Sequence, residues 1–149
     1  MEFTVLPDCP AGAALADRVA APKRIDHASG RPWIVGDWPE GGTTVTEAGT
    51  RRLAVFGHTR PDDAGTASAL GRMRSLHDVD RVASRLPGVF HLAASLDGAV
   101  RLQGSVAGVR QVFTARVDGV TVAASAVDPL LRLTGAGLDE TLLAARLLA

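Results

Sequence analysis

The chain has 149 residues, of which 46% are hydrophobic, and its 16 basic and 16 acidic side chains give a formal net charge of zero. This length is enough for one domain with its own core. The balanced charge argues against a broad surface for nucleic acid or for an anionic membrane. Cys9 is the only cysteine, so no intramolecular disulfide forms, which fits a reducing compartment. The amino terminus has no signal-peptide pattern and no apolar run is long enough to cross a bilayer, so we expect a cytoplasmic protein.

The first third of the sequence predicts short strands around one helix. Residues 3–6 have strand composition, and residues 10–21 predict a helix that Asp8 or Cys9 caps, with Pro10 in its first turn. Residues 22–32 have the composition of a loop. A strand is predicted over residues 33–38, and a strand pair over 43–49 and 51–57 follows the turn at 39–42.

Helical patterns occupy the middle of the chain. Residues 59–75 are ambiguous, because Pro61 and Asp62 can open a helix that Gly65 and Gly71 weaken. The following segment, 77–88, is a clearer helix. Its apolar residues fall at helical spacing before a Pro-Gly stop: Val79, Val82, Ala83 and Leu86.

The segment from 88 to 125 contains two Asp-Gly dipeptides between strand-like runs. Such dipeptides favour tight hairpin turns, because both central residues need positive φ. The pattern predicts an antiparallel meander with turns at Asp97-Gly98 and Asp118-Gly119. Helices are predicted over 127–135 and 138–148. Strands and helices do not alternate regularly, so the predicted class is α+β with antiparallel sheets and flanking helices.

Few residues form a recognisable catalytic or metal-binding pattern. The four histidines are scattered and one cysteine cannot complete a zinc cluster, so we expect no metal site. The sequence has no P-loop and no Gly-x-Ser-x-Gly elbow. Cys9 is a possible nucleophile with His27 or His58 as base, but no motif places a partner beside it, and a half-buried thiol is the favoured interpretation.

Three further patterns have a structural interpretation that we favour over a functional one. A Gly42-Thr43 junction can self-cleave to expose a threonine nucleophile, but a loop entering a β-branched strand is the simpler explanation. Trp33 and Trp38 are more often core residues than a stacking platform. Asp97 and Asp118 are favoured as turn formers rather than as paired catalytic carboxylates.

The order of the later motifs resembles the glutaminase-like domain of asparagine synthetases and, more specifically, of actinobacterial lasso peptide cyclases. That family has a Gly-x-Phe strand, an acidic-Gly hairpin, an Arg-Asp-x-x-Gly loop, a second hairpin and a strand ending in Ala-Ser before a Leu-rich helix. The corresponding segments here are GVF (88–90), LDG (96–98), GVRQVF (108–113), VDG (117–119), VAAS (122–125) and LL (130–131). The start, MEFTVLPD, and the segment SGRPWIVG (29–36) extend the resemblance over most of the chain.

The resemblance implies a fold and also the loss of glutaminase chemistry. The fold would be a degenerate sandwich of the N-terminal-nucleophile (Ntn) hydrolase type, as in class II glutamine amidotransferases. Active members have Cys after the initiator Met, where this chain has Glu2, and their oxyanion-hole Asn-Gly corresponds to Phe56-Gly57. The Asp that holds the glutamine α-ammonium corresponds to Ser105. With these positions changed, the resemblance implies no catalytic residue in this segment.

The family closes a macrolactam ring with ATP, using the peptide's own amine instead of ammonia. The resemblance therefore implies ATP and Mg²⁺ in a following synthetase domain, whose pyrophosphate-binding loop this sequence lacks, and no cofactor in this segment. The chain ends inside an apolar pattern, so we expect it to be the amino-terminal part of a longer ligase. Expected partners are the synthetase domain in cis or as a separate subunit, the lasso precursor peptide and the leader peptidase, with helix 138–148 on the docking face.

Two other hypotheses remain open. The first is a stand-alone module that binds a peptide or protein, and the second is an active Ntn hydrolase that matures at Gly42-Thr43. We rank the degenerate ligase domain first and the active hydrolase last.

Overall fold

The computed structural model describes residues 1–59, 62–105, 108–137 and 139–141. The strands are β1 (Glu2–Val5), β2 (Lys23–Asp26), β3 (Pro32–Asp37), β4 (Thr43–Ala48), β5 (Arg51–Gly57), β6 (Phe90–Leu96), β7 (Ala99–Gly104), β8 (Phe113–Val117) and β9 (Val120–Ala124). The α-helices are α1 (Pro10–Val19), α2 (Asp63–Arg72), α3 (Val79–Ala83) and α4 (Asp128–Thr134), and a 3₁₀ turn at Leu76–Asp78 leads into α3.

The nine strands form two antiparallel sheets. The first sheet has the order β2-β3-β1-β9-β8, and the second sheet has the order β4-β5-β6-β7. β1 lies in the centre of the first sheet, where Val5 is opposite Ile34 of β3 and Ala123 of β9. The predicted α+β class is therefore confirmed.

Three apolar clusters divide the molecule into four layers. Between the sheets lie Phe3, Val5, Trp33, Ile34, Trp38, Ala54, Phe56 and Ala93. α1 and α4 pack on the outer face of the first sheet through Leu15, Leu130 and Leu133. α2 and α3 cover the second sheet through Leu70, Val79 and Val82. The arrangement is a sandwich of helices, sheet, sheet and helices.

Both Asp-Gly turns form as predicted. Asp97 and Gly98 have φ of 49° and 88°, and Asp118 and Gly119 have φ of 50° and 82°. Positive φ at both central residues gives the turn a twist that matches the flanking strands. Each turn joins two strands in direct antiparallel register.

The predicted continuous meander is wrong, because the two hairpins belong to different sheets. β7 pairs with β6 in the second sheet, whereas β8 pairs with β9 in the first. The chain leaves β7 at Gly104, where an added Cβ would lie 1.9 Å from the carbonyl oxygen of Arg110. Turn chemistry fixes the register within each hairpin, but it does not determine which strand lies beside the hairpin.

The predicted loop at 22–32 is also wrong in part, since it contains β2. The sequence KRID shows no apolar alternation, yet it pairs with β3 along the edge of the first sheet. An edge strand has only one partner and tolerates charged side chains, so its composition resembles that of a loop.

The helices predicted over 10–21, 77–88 and 127–135 are confirmed with shorter limits, and the ambiguous segment 59–75 contains α2. α1 begins after Cys9, whose Sγ accepts a hydrogen bond from the Gly12 amide at 3.4 Å. α2 begins after Asp62, whose carboxylate accepts from the Gly65 amide. α3 is shorter than the predicted 77–88, because a 3₁₀ turn replaces its start. The predicted helix 138–148 falls largely outside the described residues.

A search of the described residues finds no helix that is both long enough and apolar enough to span a bilayer.

Candidate functional site

Three of the four positions that the resemblance would align with glutaminase residues lie together at one end of the second sheet. Phe56 and Gly57 end β5, and Gly57 is directly opposite Phe90 of β6. Ser105 follows β7, and its amide donates to the carbonyl oxygen of Phe90 at 2.9 Å. Phe90 thus connects residues that are nearly 50 positions apart in the sequence.

The side chain of Phe56 fills the space between the two sheets at this end. It is fully buried, and its ring stacks on Phe3 of β1 with centroids 4.1 Å apart. Trp38 meets the same ring edge-on at 5.2 Å. The resemblance would align this position with an oxyanion-hole donor, but a hydrocarbon ring offers no polar donor and cannot stabilise a tetrahedral intermediate.

Glu2 lies apart from the other three positions. Successive side chains of a strand point to opposite faces, and Phe3 points between the sheets, so Glu2 faces the helices. Its carboxylate accepts a hydrogen bond from the Arg132 guanidinium of α4. Asp37 is directly opposite Glu2 in the register of β1 and β3, and both line a surface cavity of about 390 Å³. An ion-paired carboxylate therefore stands at the position that the resemblance would align with a nucleophile.

His91 belongs to the same end of the sandwich, although the sequence pattern did not single it out. Its Nε2 donates to the carbonyl oxygen of Gln111 at 2.9 Å, and its ring meets Phe3 edge-on at 5.4 Å. Burial lowers the pKa of His91, and the charge of Arg110 adds to that effect, so the imidazole is neutral at pH 7.

Several buried polar atoms at this end have no hydrogen-bond partner in the described part of the structure. They include Nδ1 of His91 and the hydroxyl of Ser105, and both residues are buried. Cys9, the single cysteine of the chain, does not lie beside these atoms, because it caps α1 on the outer face of the first sheet. The arrangement supplies a neutral imidazole and a hydroxyl, but no activated nucleophile.

A second buried histidine bridges the two sheets. His27 Nδ1 lies 2.8 Å from the Ser95 hydroxyl on β6, and its Nε2 lies 3.1 Å from the carbonyl oxygen of Leu6. The carbonyl accepts only from an N–H, so Nε2 carries the proton and Ser95 donates to Nδ1. Burial lowers the pKa of His27, which keeps this bridge neutral.

The alternation of residues along β6 was the sequence pattern that could have indicated the contacts of both buried histidines. His91, Ala93 and Ser95 share one face of the strand, and the structure buries every residue of β6. The polar residues of that face resemble a solvent-exposed side in the sequence. The central Ala93 was the indication that the face is covered, here by the first sheet.

The other residues considered from the sequence have structural roles. Trp33 and Trp38 are buried in the core, as expected. Thr43 begins β4 and pairs with Phe56, which fits a loop entering a strand.

The remaining histidines and the acidic residues form no metal site in the described ranges. His58 and His77 are exposed. No three side chains of the His, Cys, Asp or Glu types converge among those residues in a way that would hold an ion.

Comparison with protein families, with curated proteins and with solved structures found no match to this chain.

Proposed function

We propose that this chain is a degenerate, non-catalytic glutaminase domain of the Ntn-hydrolase type in an ATP-dependent lasso peptide cyclase. It supports the synthetase domain and helps to position the precursor peptide. The observation that carries the proposal is that Gly57 and Ser105 both meet Phe90, while the ring of Phe56, beside Gly57, closes the space between the sheets. Ser105 is nearly 50 positions from Gly57 in the sequence, and the resemblance assigns Phe56, Gly57 and Ser105 to one former site.

The layer order also supports the proposal. An Ntn-type sandwich has helices on the outside and two antiparallel sheets in the middle, with the amino-terminal strand inside a sheet. β1 meets this requirement, because it lies between β3 and β9. Phe3, one residue after the former nucleophile position, contacts both Phe56 and His91.

The chemistry explains why such a domain can persist without activity. Glutamine hydrolysis needs a nucleophile and an oxyanion donor, and losing one donor costs on the order of a hundredfold to a thousandfold in rate. Ring closure with the peptide's own amine needs no ammonia. It therefore requires neither a nucleophile nor an oxyanion donor at the positions of the former glutaminase site. ATP and Mg²⁺ belong to the synthetase domain, and no residue of this chain is assigned to them.

The test is an assay of the native protein, together with any synthetase subunit that copurifies. A candidate precursor peptide, ATP and Mg²⁺ are supplied, and peptide mass and glutamate release from glutamine are followed. We expect ATP-dependent loss of one water from the peptide and no glutamate. Glu2→Gln should change neither result, since Glu2 pairs with Arg132 and is not a nucleophile. Glutamate release that Glu2→Gln abolishes, or the absence of ring closure, would contradict the proposal.

A stand-alone peptide-binding module is the second candidate, and one observation favours it. The outer helices of the second sheet form a groove lined with arginines, described next. In that case the native protein would bind a peptide and show no ATP-dependent chemistry.

A further inference from the structure

A shallow groove runs between α2 and α3 on the outer face of the second sheet. It encloses about 180 Å³, and its apolar floor is formed by Ala69, Met73 and Val82. Met73 and Val82 belong to the apolar cluster that joins the helices to the sheet, and Ala69 packs against it. The groove therefore exposes the edge of a rigid, packed layer.

Three arginines and one aspartate also line this groove: Arg72, Arg81, Arg85 and Asp78. This excess of positive charge is local, because the whole chain is neutral.

Asp78 is already engaged with the backbone. Its Oδ2 accepts from the amides of Arg74 and Ser75 at 2.9 and 3.1 Å, and these hydrogen bonds lower the pKa of its carboxyl. Its other oxygen is 3.8 Å from Arg81 Nη1, and the Arg81 side chain is 83% exposed. Asp78 is therefore ionised and offsets one of the three positive charges that line this cavity, which leaves a net positive charge.

Arg72 and Arg85 have no acidic partner among the residues that the structure describes. Arg72 donates to the neutral hydroxyl of Ser68. Elsewhere arginines meet carboxylates closely, as in Arg18–Asp118 and Arg101–Asp80, both at 2.6 Å. In the part of the chain that the structure describes, Arg72 and Arg85 are therefore the two groove arginines without a carboxylate partner.

The groove continues past its first cavity. A second cavity of about 180 Å³ shares Ala69, Val82 and Arg85 and extends to Leu86 and Thr66. Asp62 also lines it, and its carboxylate accepts a hydrogen bond from the Gly65 amide, so the two cavities together are lined by three arginines and two aspartates. Each cavity has room for one side chain rather than for a folded domain. Two adjoining cavities fit an extended segment that places two side chains in succession.

We propose that this groove binds an acidic peptide segment with apolar anchor residues. The anchors would cover the floor at Ala69 and Val82, and flanking carboxylates would pair with Arg72 and Arg85. Guanidinium groups bind carboxylates in a bidentate geometry. Burial of an apolar anchor on the floor adds binding free energy that a free anion cannot gain. The inference does not depend on the ligase proposal, because no residue of the former glutaminase site takes part.

The test uses a fluorescently labelled peptide of alternating Glu and Leu and measures its anisotropy with the intact protein. We expect saturable binding that weakens as salt rises, because charged contacts are screened. The double variant Arg72→Gln/Arg85→Gln should weaken binding on the order of tenfold or more, since each tenfold corresponds to about 1.4 kcal/mol. Arg116→Gln is the matched control, because Arg116 contacts the carbonyl oxygen of Gly119 in the other sheet's hairpin.

A second peptide, with Ser in place of Leu, separates a peptide groove from a simple anion site. We expect it to bind more weakly, and we expect tripolyphosphate to compete poorly with the Leu peptide. Equal binding of both peptides, with efficient competition by tripolyphosphate, would overturn the proposal in favour of a plain anion site. Binding that the double variant leaves intact, or no binding at all, would also overturn it. Circular dichroism establishes that each variant is folded.

Discussion

Phe56 is the residue on which the assignment of the former glutaminase site depends most. Its ring is fully buried against Phe3 and Trp38, so it contributes to the core instead of to chemistry. We expect Phe56→Ala to lower the free energy of unfolding by about 3–5 kcal/mol, because it leaves a cavity between the sheets. Chemical denaturation measures this change.

The control for Phe56 is Val45→Ala on β4, where the side chain is 38% exposed. That change should stay within about 0.5 kcal/mol. Equal effects of the two substitutions would show that the Phe56 ring does not close the interior.

Cys9 gives a second prediction, because its sulfur caps α1 instead of serving as a nucleophile. Serine is a preferred cap residue, so Cys9→Ser should preserve or raise stability. Cys9→Ala removes the acceptor for the Gly12 amide and should cost about 0.5–1 kcal/mol. Thermal unfolding of the two variants compares them, and an alanine variant as stable as the serine variant would exclude the capping role.

The buried histidines predict a loss of stability in mild acid. Burial lowers the pKa of His27 and of His91 below the ordinary value of about 6.5, although Asp8 and Asp26 partly oppose the shift at His27. The unfolded chain then binds more protons than the folded chain as the pH falls below about 6.5. The free energy of unfolding should therefore be steady above pH 7 and decline as the solution becomes more acid.

Nuclear magnetic resonance titration measures the pKa of each imidazole. Denaturation at several pH values measures the free energy of unfolding. The double variant His58→Gln/His77→Gln removes the exposed histidines and should leave the decline unchanged. An unfolding free energy that does not change between pH 7 and pH 5 would contradict the burial argument.

The crossing from the second sheet to the first depends on one glycine. After β7, the carbonyl oxygen of Arg110 approaches Gly104 so closely that a Cβ would overlap it at 1.9 Å. Gly104→Ala must displace backbone, and we expect it to destabilise the protein by about 1–3 kcal/mol. It should also shift the amide resonances of Ser105 and Gln111, which contact Phe90 and His91.

Gly137→Ala is the matched control, since no atom of the residues that the structure describes lies within 4 Å of its added Cβ. If the two alanine variants unfold at the same denaturant concentration, the close approach at Gly104 does not exist in solution.

The sequence predicted the helices and strands better than it predicted which strands pair with each other. Apolar alternation and the two Asp-Gly turns were sufficient for β6 to β9, and Cys9 with Pro10 marked the start of α1. β2 was missed because a charged edge strand lacks alternation. The pairing of β1 with β9 joins residues about 120 positions apart, and no local pattern specifies such a contact.

The candidate site shows the same limit. The resemblance named Phe56, Gly57 and Ser105, but only the fold brings them to Phe90. The contact between His27 and Ser95 spans 68 residues, and each appears in the sequence as an isolated polar residue. Which side chains meet between two sheets depends on the order of the strands, and local secondary-structure propensity does not predict that order.

The whole molecule is a four-layer sandwich whose two outer sides differ. On the side of the first sheet, Glu2 and Arg132 form an ion pair between β1 and α4. On the side of the second sheet, α2 and α3 leave the groove lined by Arg72 and Arg85. The interior at the end near Phe56 is closed by aromatic rings. These features are compatible with the proposed role in binding and support.

The proposed role as a domain of an ATP-dependent ligase is tested most directly by the mass of the native polypeptide, and of any protein that copurifies with it, from its source cells. We expect either a polypeptide well above 15.4 kDa or a stable complex with an ATP-binding subunit. A polypeptide near 15.4 kDa that purifies without an ATP-binding partner would contradict this role. The stand-alone binding module would then be the correct description.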